Sequence, residues 1–95
     1  MRPVRSHVFR GKRYRIVWRK PRGCVGSCDA PDTPGKVIYI DPQQGEYDIL
    51  ETIAHEAWHA LDWDKAEEAV EENARCLARL LWRMGYRRYE NSPTQ

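Results

Sequence analysis

His55-Glu56-Ala57-Trp58-His59 places two imidazoles and a carboxylate within five residues. If this stretch is helical, the histidines lie four apart on one side, one turn above the other. Both can then reach one zinc ion, and Glu56 can hold a water that the metal activates. The chemistry implied is metal-assisted hydrolysis. The ion polarises a scissile carbonyl and acidifies its water, and Glu56 takes the water's proton and returns it to the leaving amine.

Two histidines leave zinc under-coordinated, because a catalytic site usually has three protein ligands and a water. His7 is the only other histidine and lies far off in a basic N-terminal stretch. The acidic run Glu67-Glu68-Ala69-Val70-Glu71-Glu72 is the better source. If the chain turns near Trp63-Asp64, the level midway between the histidines faces about Glu71. Ala74 and Ala78 on the same side would let the helices approach closely. Glu67 is the alternative, although a capping-box role would already explain it. An oxyanion donor is also needed, and Tyr39, Tyr47 and Tyr86 qualify by residue type alone.

These side chains need elements to hold them. Val8-Phe9-Arg10, a turn at Gly11-Lys12 and the alternating run Arg13 to Arg19 read as a β-hairpin, with Tyr14, Ile16 and Trp18 on one face. Residues 21–35 are rich in Pro, Gly, Asp and Cys and read as a loop. Lys36 to Asp41 is a second strand region, dominated by β-branched and aromatic residues. It could pair with an extended peptide along a cleft.

Glu46 to about Asp62 is expected to be a helix with the stripe Leu50, Ile53, Ala57 and Leu61. Asp64 is the expected cap of a second helix over Lys65 to Met84, with the stripe Val70, Ala74, Leu77, Leu81 and Met84. Gly85 ends it. The fold expected is α+β: a small antiparallel sheet, hairpin plus edge strand, packed on an antiparallel two-helix hairpin. At 95 residues the chain is read as one domain over 1–95, with a basic arm at 1–7 and a polar tail at 87–95.

The net charge of +2 conceals a segregation. Arg2, Arg5, Arg10, Lys12, Arg13, Arg15, Arg19, Lys20 and Arg22 precede any acid, and Arg75 to Arg88 is basic again. Such flanks can attract nucleic acid, or they can pack near the acidic middle and aid solubility. No apolar run approaches membrane-spanning length. Met1 to Arg22 lacks the continuous apolar core of a secretory signal. The expectation is a monomer in the cytoplasm, or in a host cytoplasm if phage-encoded. Cys24, Cys28 and Cys76 are an odd count, which argues against a disulfide framework. Cys24 and Cys28 have no matching second pair, and Cys76 reads as a small buried residue.

Taken together, KVIYID, ETIAHEAWHALDW and EEAVEENARCLARLLWRMGY over Lys36 to Tyr86 resemble the minimal zincin domains of small phage and bacterial proteins. These are similar in style to SprT-like and ImmA/IrrE-type metallopeptidases. In gluzincins of this kind the second helix carries the glutamate ligand, often as E-x-x-A-x-x-x-A. Glu71 to Ala78 fits that pattern, so the resemblance favours Glu71 as the third zinc ligand beside His55 and His59, with Glu56 as general base. It implies a zincin-like core that hydrolyses peptide or protein substrates. The competing reading is a non-catalytic zinc-containing module that contacts nucleic acid or a host protein through its basic flanks.

Overall fold

The computed structural model describes residues 4–88 and places four strands before two helices. Strand β1 (Ser6–Phe9) and strand β2 (Lys12–Val17) form an antiparallel hairpin closed by Phe9 opposite Lys12. The turn is Arg10-Gly11, one residue earlier than expected, and both residues have positive φ, 51° and 80°. A two-residue loop of this kind follows the strand twist only with both central residues left-handed, which Gly11 accepts freely. Arg10 is held in place because its guanidinium donates to the Leu61 carbonyl at 3.0 Å. His7 therefore sits in a strand rather than in a loose basic arm; residues 1–3 and 89–95 of the expected arm and tail lie outside the described residues.

The class is α+β, as the sequence indicates, but the sheet is mixed rather than wholly antiparallel. Its order is β1-β2-β4-β3. Strand β4 (Val37–Ile40) runs parallel to β2, in the register Arg15 to Val37, Ile16 to Ile38 and Val17 to Tyr39. It is thus an inner strand and not an edge. The edge belongs to β3 (Gly26–Cys28), which pairs antiparallel with β4 inside the segment expected to be a loop. Backbone bonds from Asp41 N to Val25 O (2.8 Å) and from Asp29 N to Val37 O (3.1 Å) extend this pairing at both ends. β4 therefore has no free edge for a peptide.

One face of the sheet carries Tyr14, Ile38 and Ile40, with Phe9, Ile16, Trp18 and Cys28 around them, and packs on Ile53 and Ala60 of helix α1 (Glu46–Leu61). Helix α2 (Glu67–Arg83) lies on α1 alone among the described elements. α1 is therefore covered on two sides. This moves its buried set from the expected single stripe to Ile49, Thr52, Ala54, Glu56 and Ala60, and leaves Leu61 exposed. On α2 the fully buried residues are Val70, Ala74 and Ala78, while Leu77 and Met84 are exposed. Small residues at every fourth position let the helix axes come close, and the larger ones are turned outward. Cys76, expected to be buried, is exposed on this outer side.

Gly85, at φ 94°, ends α2 as expected. Its N–H donates to Trp82 O, and Tyr86 N–H donates to Leu81 O, which satisfies two terminal carbonyls. The start of α2 departs from expectation. The helix begins at Glu67, and its N-cap is Ala66, with no side-chain cap bond. Residues 62–66 form the connector, tightened by Lys65 N–H on Asp62 O and by the Lys65–Asp62 ion pair at 3.7 Å. No helix among the described residues is long and apolar enough to cross a membrane.

Candidate metal centre

The five-residue connector returns the chain directly to the level of the last turns of α1. The first residue of α2, not the second turn, then faces the histidines. His55 Nε2 lies 3.0 Å from Glu67 Oε2, and His59 Nε2 lies 3.1 Å from Glu67 Oε1. The third candidate ligand brought to the site is therefore Glu67 and not Glu71. Glu71 points outward and sits 3.9 Å from Arg75, one turn along the same helix. Glu67 is free for this role because it does not serve a capping box: it is the first helical residue, and the expected cap Asp64 lies in the connector.

Donor atoms of His55, His59 and Glu67 all lie within 4.8 Å of one another, which is a separation that can hold a metal ion. Two ligands at about 2.05 Å from a tetrahedral zinc are about 3.3 Å apart, so the two observed nitrogen–oxygen separations fit that ion with shifts of a few tenths of an ångström. The imidazole rings stand 4.9 Å apart at 61° to each other. Trp63 meets His59 edge-on at 6.0 Å and walls one side. The histidine side chains are mostly buried, 21% and 18% exposed, whereas Glu67 is 61% exposed. The donors thus stand at a surface opening, with room for a further ligand from solvent.

Electrostatics favour the ligating form of His59. Burial holds His59 below the ordinary histidine range, with the Glu67 carboxylate opposing that shift and His55 adding to it. Neutral imidazole is the ligating form. Glu56 belongs to the buried row of α1, only 6% exposed. Burial, and then the charge of Glu67, push its carboxyl up to about 7. That is the range in which a carboxylate can take and return a proton near neutrality.

The element that buries Glu56 is β3, for which the sequence offered no apolar or β-branched run. A Cβ added at Gly26 would lie 2.8 Å from Glu56 Oε2 and 2.6 Å from Thr52 Cγ2. Glycine is needed here for close approach and not for an unusual backbone angle. Thr52 itself is anchored by its hydroxyl on Gln44 Oε1 at 3.0 Å. Cys28, on the same strand, is pushed up to about 12 by burial and by the nearby Glu56 and Asp29 charges. Its thiol stays protonated, unlike the thiolate that binds zinc. The Tyr14 hydroxyl lies beside that thiol, buried and without a well-directed hydrogen bond among the described residues. Cys24 is exposed.

The three tyrosines considered as oxyanion donors are engaged elsewhere. Tyr39 lies under the Arg19 guanidinium at 5.3 Å, on the sheet face away from α1. Tyr47 packs edge-on against Trp82 at 5.4 Å. Tyr86 is exposed beyond the far end of α2. No family model matches the chain, and no curated protein and no solved structure matches it.

Proposed function

We propose that the chain is a zinc-dependent peptidase of minimal zincin type. The observation that supports this most is the convergence of His55 Nε2 and His59 Nε2 on the two oxygens of Glu67, with the Glu56 carboxyl buried alongside. His55, His59 and Glu67 would hold the ion. When bound, it supplies Lewis-acid polarisation of a carbonyl and makes its water acidic near neutral pH.

The remaining steps belong to this chain's own residues. Glu56 accepts a proton from the attacking water and passes it to the leaving amine as the carbon–nitrogen bond breaks and a carbon–oxygen bond forms. Its raised proton affinity serves both transfers. The outer side of β3 is the sheet edge above Glu56. An extended peptide would add there, beside Gly26, Ser27 and Cys28, rather than at β4. The open side at Glu67 admits it.

The experiment compares the parent with Glu56→Gln on a generic protein substrate. Zinc content is measured on both. The parent hydrolyses the substrate in a zinc-dependent way, while Glu56→Gln keeps its zinc and loses hydrolysis by about 100-fold or more. Equal cleavage by the two proteins would remove this function.

A further inference from the structure

The two faces of the sheet differ in kind. One packs on α1. The strand register puts Ser6, Val8, Arg13, Arg15, Val17, Ser27, Val37 and Tyr39 on the other, with Val37 buried there. Among the described residues no helix lies over this second face: α2 touches only α1, and α1 meets the sheet on the Gly26 side. Val8 is 43% exposed there. Arg13 and Arg15 are exposed beside it, and Val17 and Tyr39 are half-buried. The Arg19 guanidinium lies over the Tyr39 ring, 5.3 Å from its centre.

The strand cations of this face are Arg13 and Arg15, and the acid at its margin, Asp29 opposite Val37, accepts from the Val37 N–H at 2.9 Å. Residues 1–28 contain no Asp or Glu, and the first acid is Asp29. Arg13 stands opposite Val8, and Arg15 opposite Ser6 on one side and Val37 on the other. Among the described residues, no carboxylate stands directly opposite either of them on a neighbouring strand. Arg13 donates only to the neutral Ser6 hydroxyl, at 2.9 Å, in the bonds that its side chain makes here. The two arginines are separated by two residues of strand, about 6.6 Å. A row of cations spaced along an extended strand is complementary to a row of anions spaced along another extended chain.

We propose that this open face binds single-stranded nucleic acid, with phosphates on Arg13 and Arg15 and a base stacked on the Arg19–Tyr39 platform. Phosphate contacts supply affinity without sequence information. Guanidinium planes and aromatic rings stack on any base, but only where the base face is free. A duplex hides those faces and would offer this flat surface phosphates alone. The apolar side chains on the face are three valines, of which Val37 is buried, and a half-buried ring, too little to insert into a lipid surface. This proposal is independent of the hydrolytic reading, since it uses none of His55, Glu56, His59 or Glu67 and lies on the opposite side of the sheet.

The test is fluorescence anisotropy with the full chain and labelled oligothymidylate and oligouridylate of about 20 nucleotides, over a salt series. A duplex of equal length and anionic phosphatidylserine vesicles serve as competing partners. The parent binds the single strands, and its affinity falls steeply with salt. Arg13→Gln with Arg15→Gln weakens binding at low salt by about tenfold or more and lowers the log–log salt slope by about 1.4. Tyr39→Leu weakens it by about fivefold or more with the slope retained. Circular dichroism and metal content identify any variant that has lost its fold. Absence of salt-dependent binding by the parent would overturn the proposal. So would undiminished binding by either folded variant, equal or tighter binding of the duplex, or capture by vesicles in place of the oligonucleotides.

Discussion

Gly26 and Glu56 are so close that a single methyl group cannot be placed between them: a Cβ at Gly26 would come within 2.8 Å of the Glu56 carboxylate and 2.6 Å of the Thr52 methyl. The backbone at Gly26 is extended, so alanine is acceptable there on conformational grounds alone. The conflict is purely one of packing. It joins an edge strand to the residue that would move protons in the proposed reaction.

Gly26→Ala is therefore expected to displace Glu56 while leaving the histidines and Glu67 in place. Overpacking of this kind costs about 1–3 kcal/mol. Urea denaturation reads that cost, and a zinc titration should stay close to the parent. Hydrolysis falls by about tenfold or more. A variant with parental hydrolysis would show that β3 does not position Glu56.

Glu67→Ala and Glu71→Ala should separate cleanly. Removing one of three donors is expected to weaken zinc by at least about 100-fold, beyond the 10–100-fold that loss of an outer partner typically costs. Glu71→Ala removes only a surface carboxylate 3.9 Å from Arg75 and should bind zinc like the parent. Competition with a chromophoric chelator measures both. The reverse order would return the third ligand to Glu71.

In a chelator, stability should respond to pH through two groups of opposite sign. The folded-state pKa of Glu56 is raised to about 7 from an ordinary 4.5, so its contribution is fully present below pH 4.5 and is lost as pH rises through 7. His59 is lowered from 6.5, so its contribution is present above that value and is lost as pH falls through the lower, folded value. Glu56→Gln stays neutral throughout. Metal-free Glu56→Gln should be more stable than the metal-free parent at pH 8, by on the order of 1–3 kcal/mol, and should lose that advantage at pH 4. Denaturation at the two pH values checks it. No difference at pH 8 would mean that Glu56 carries no burial cost.

Ala74→Leu tests the close approach of the helices. Ala74 is fully buried between them. Leucine there should cost about 1–3 kcal/mol and drive α2 outward. Zinc affinity should fall with stability, because Glu67 moves with α2. Calorimetric melting with and without zinc reads both. A destabilised variant with unchanged zinc affinity would show that helix spacing does not set the donor geometry.

The convergence of the two histidines and the helical hairpin were legible because a four-residue spacing and a 3.6-residue period are local properties of the chain. Gly85 was legible for the same reason. The choice between Glu67 and Glu71 was not, since it depends on where the connector ends. Asp64 and Glu67 looked like a capping box, yet α2 starts two residues later than that signal indicates, and the glutamate is released to the site. β3 was hidden because Gly26, Ser27 and Cys28 have no strand-like side chains; their backbone pairing and their closeness to Glu56 define them. The alternation in β2 reports which residues share a face. It carries no information on whether the next strand runs parallel, so the insertion of β4 beside β2 could not be read from it.

The short connector keeps the donors close along the chain. Every donor atom comes from a stretch that begins at His55 and ends at Glu67, on either side of a single bend. Little polymer must be ordered for the donors to meet, and the entropy of closing so small a ring is correspondingly slight. The proposed ion capture would thus rest on that bend alone. What the sheet adds is dryness and confinement around Glu56, so on the proposed reading metal binding and proton transfer would be lost, or transplanted, one without the other.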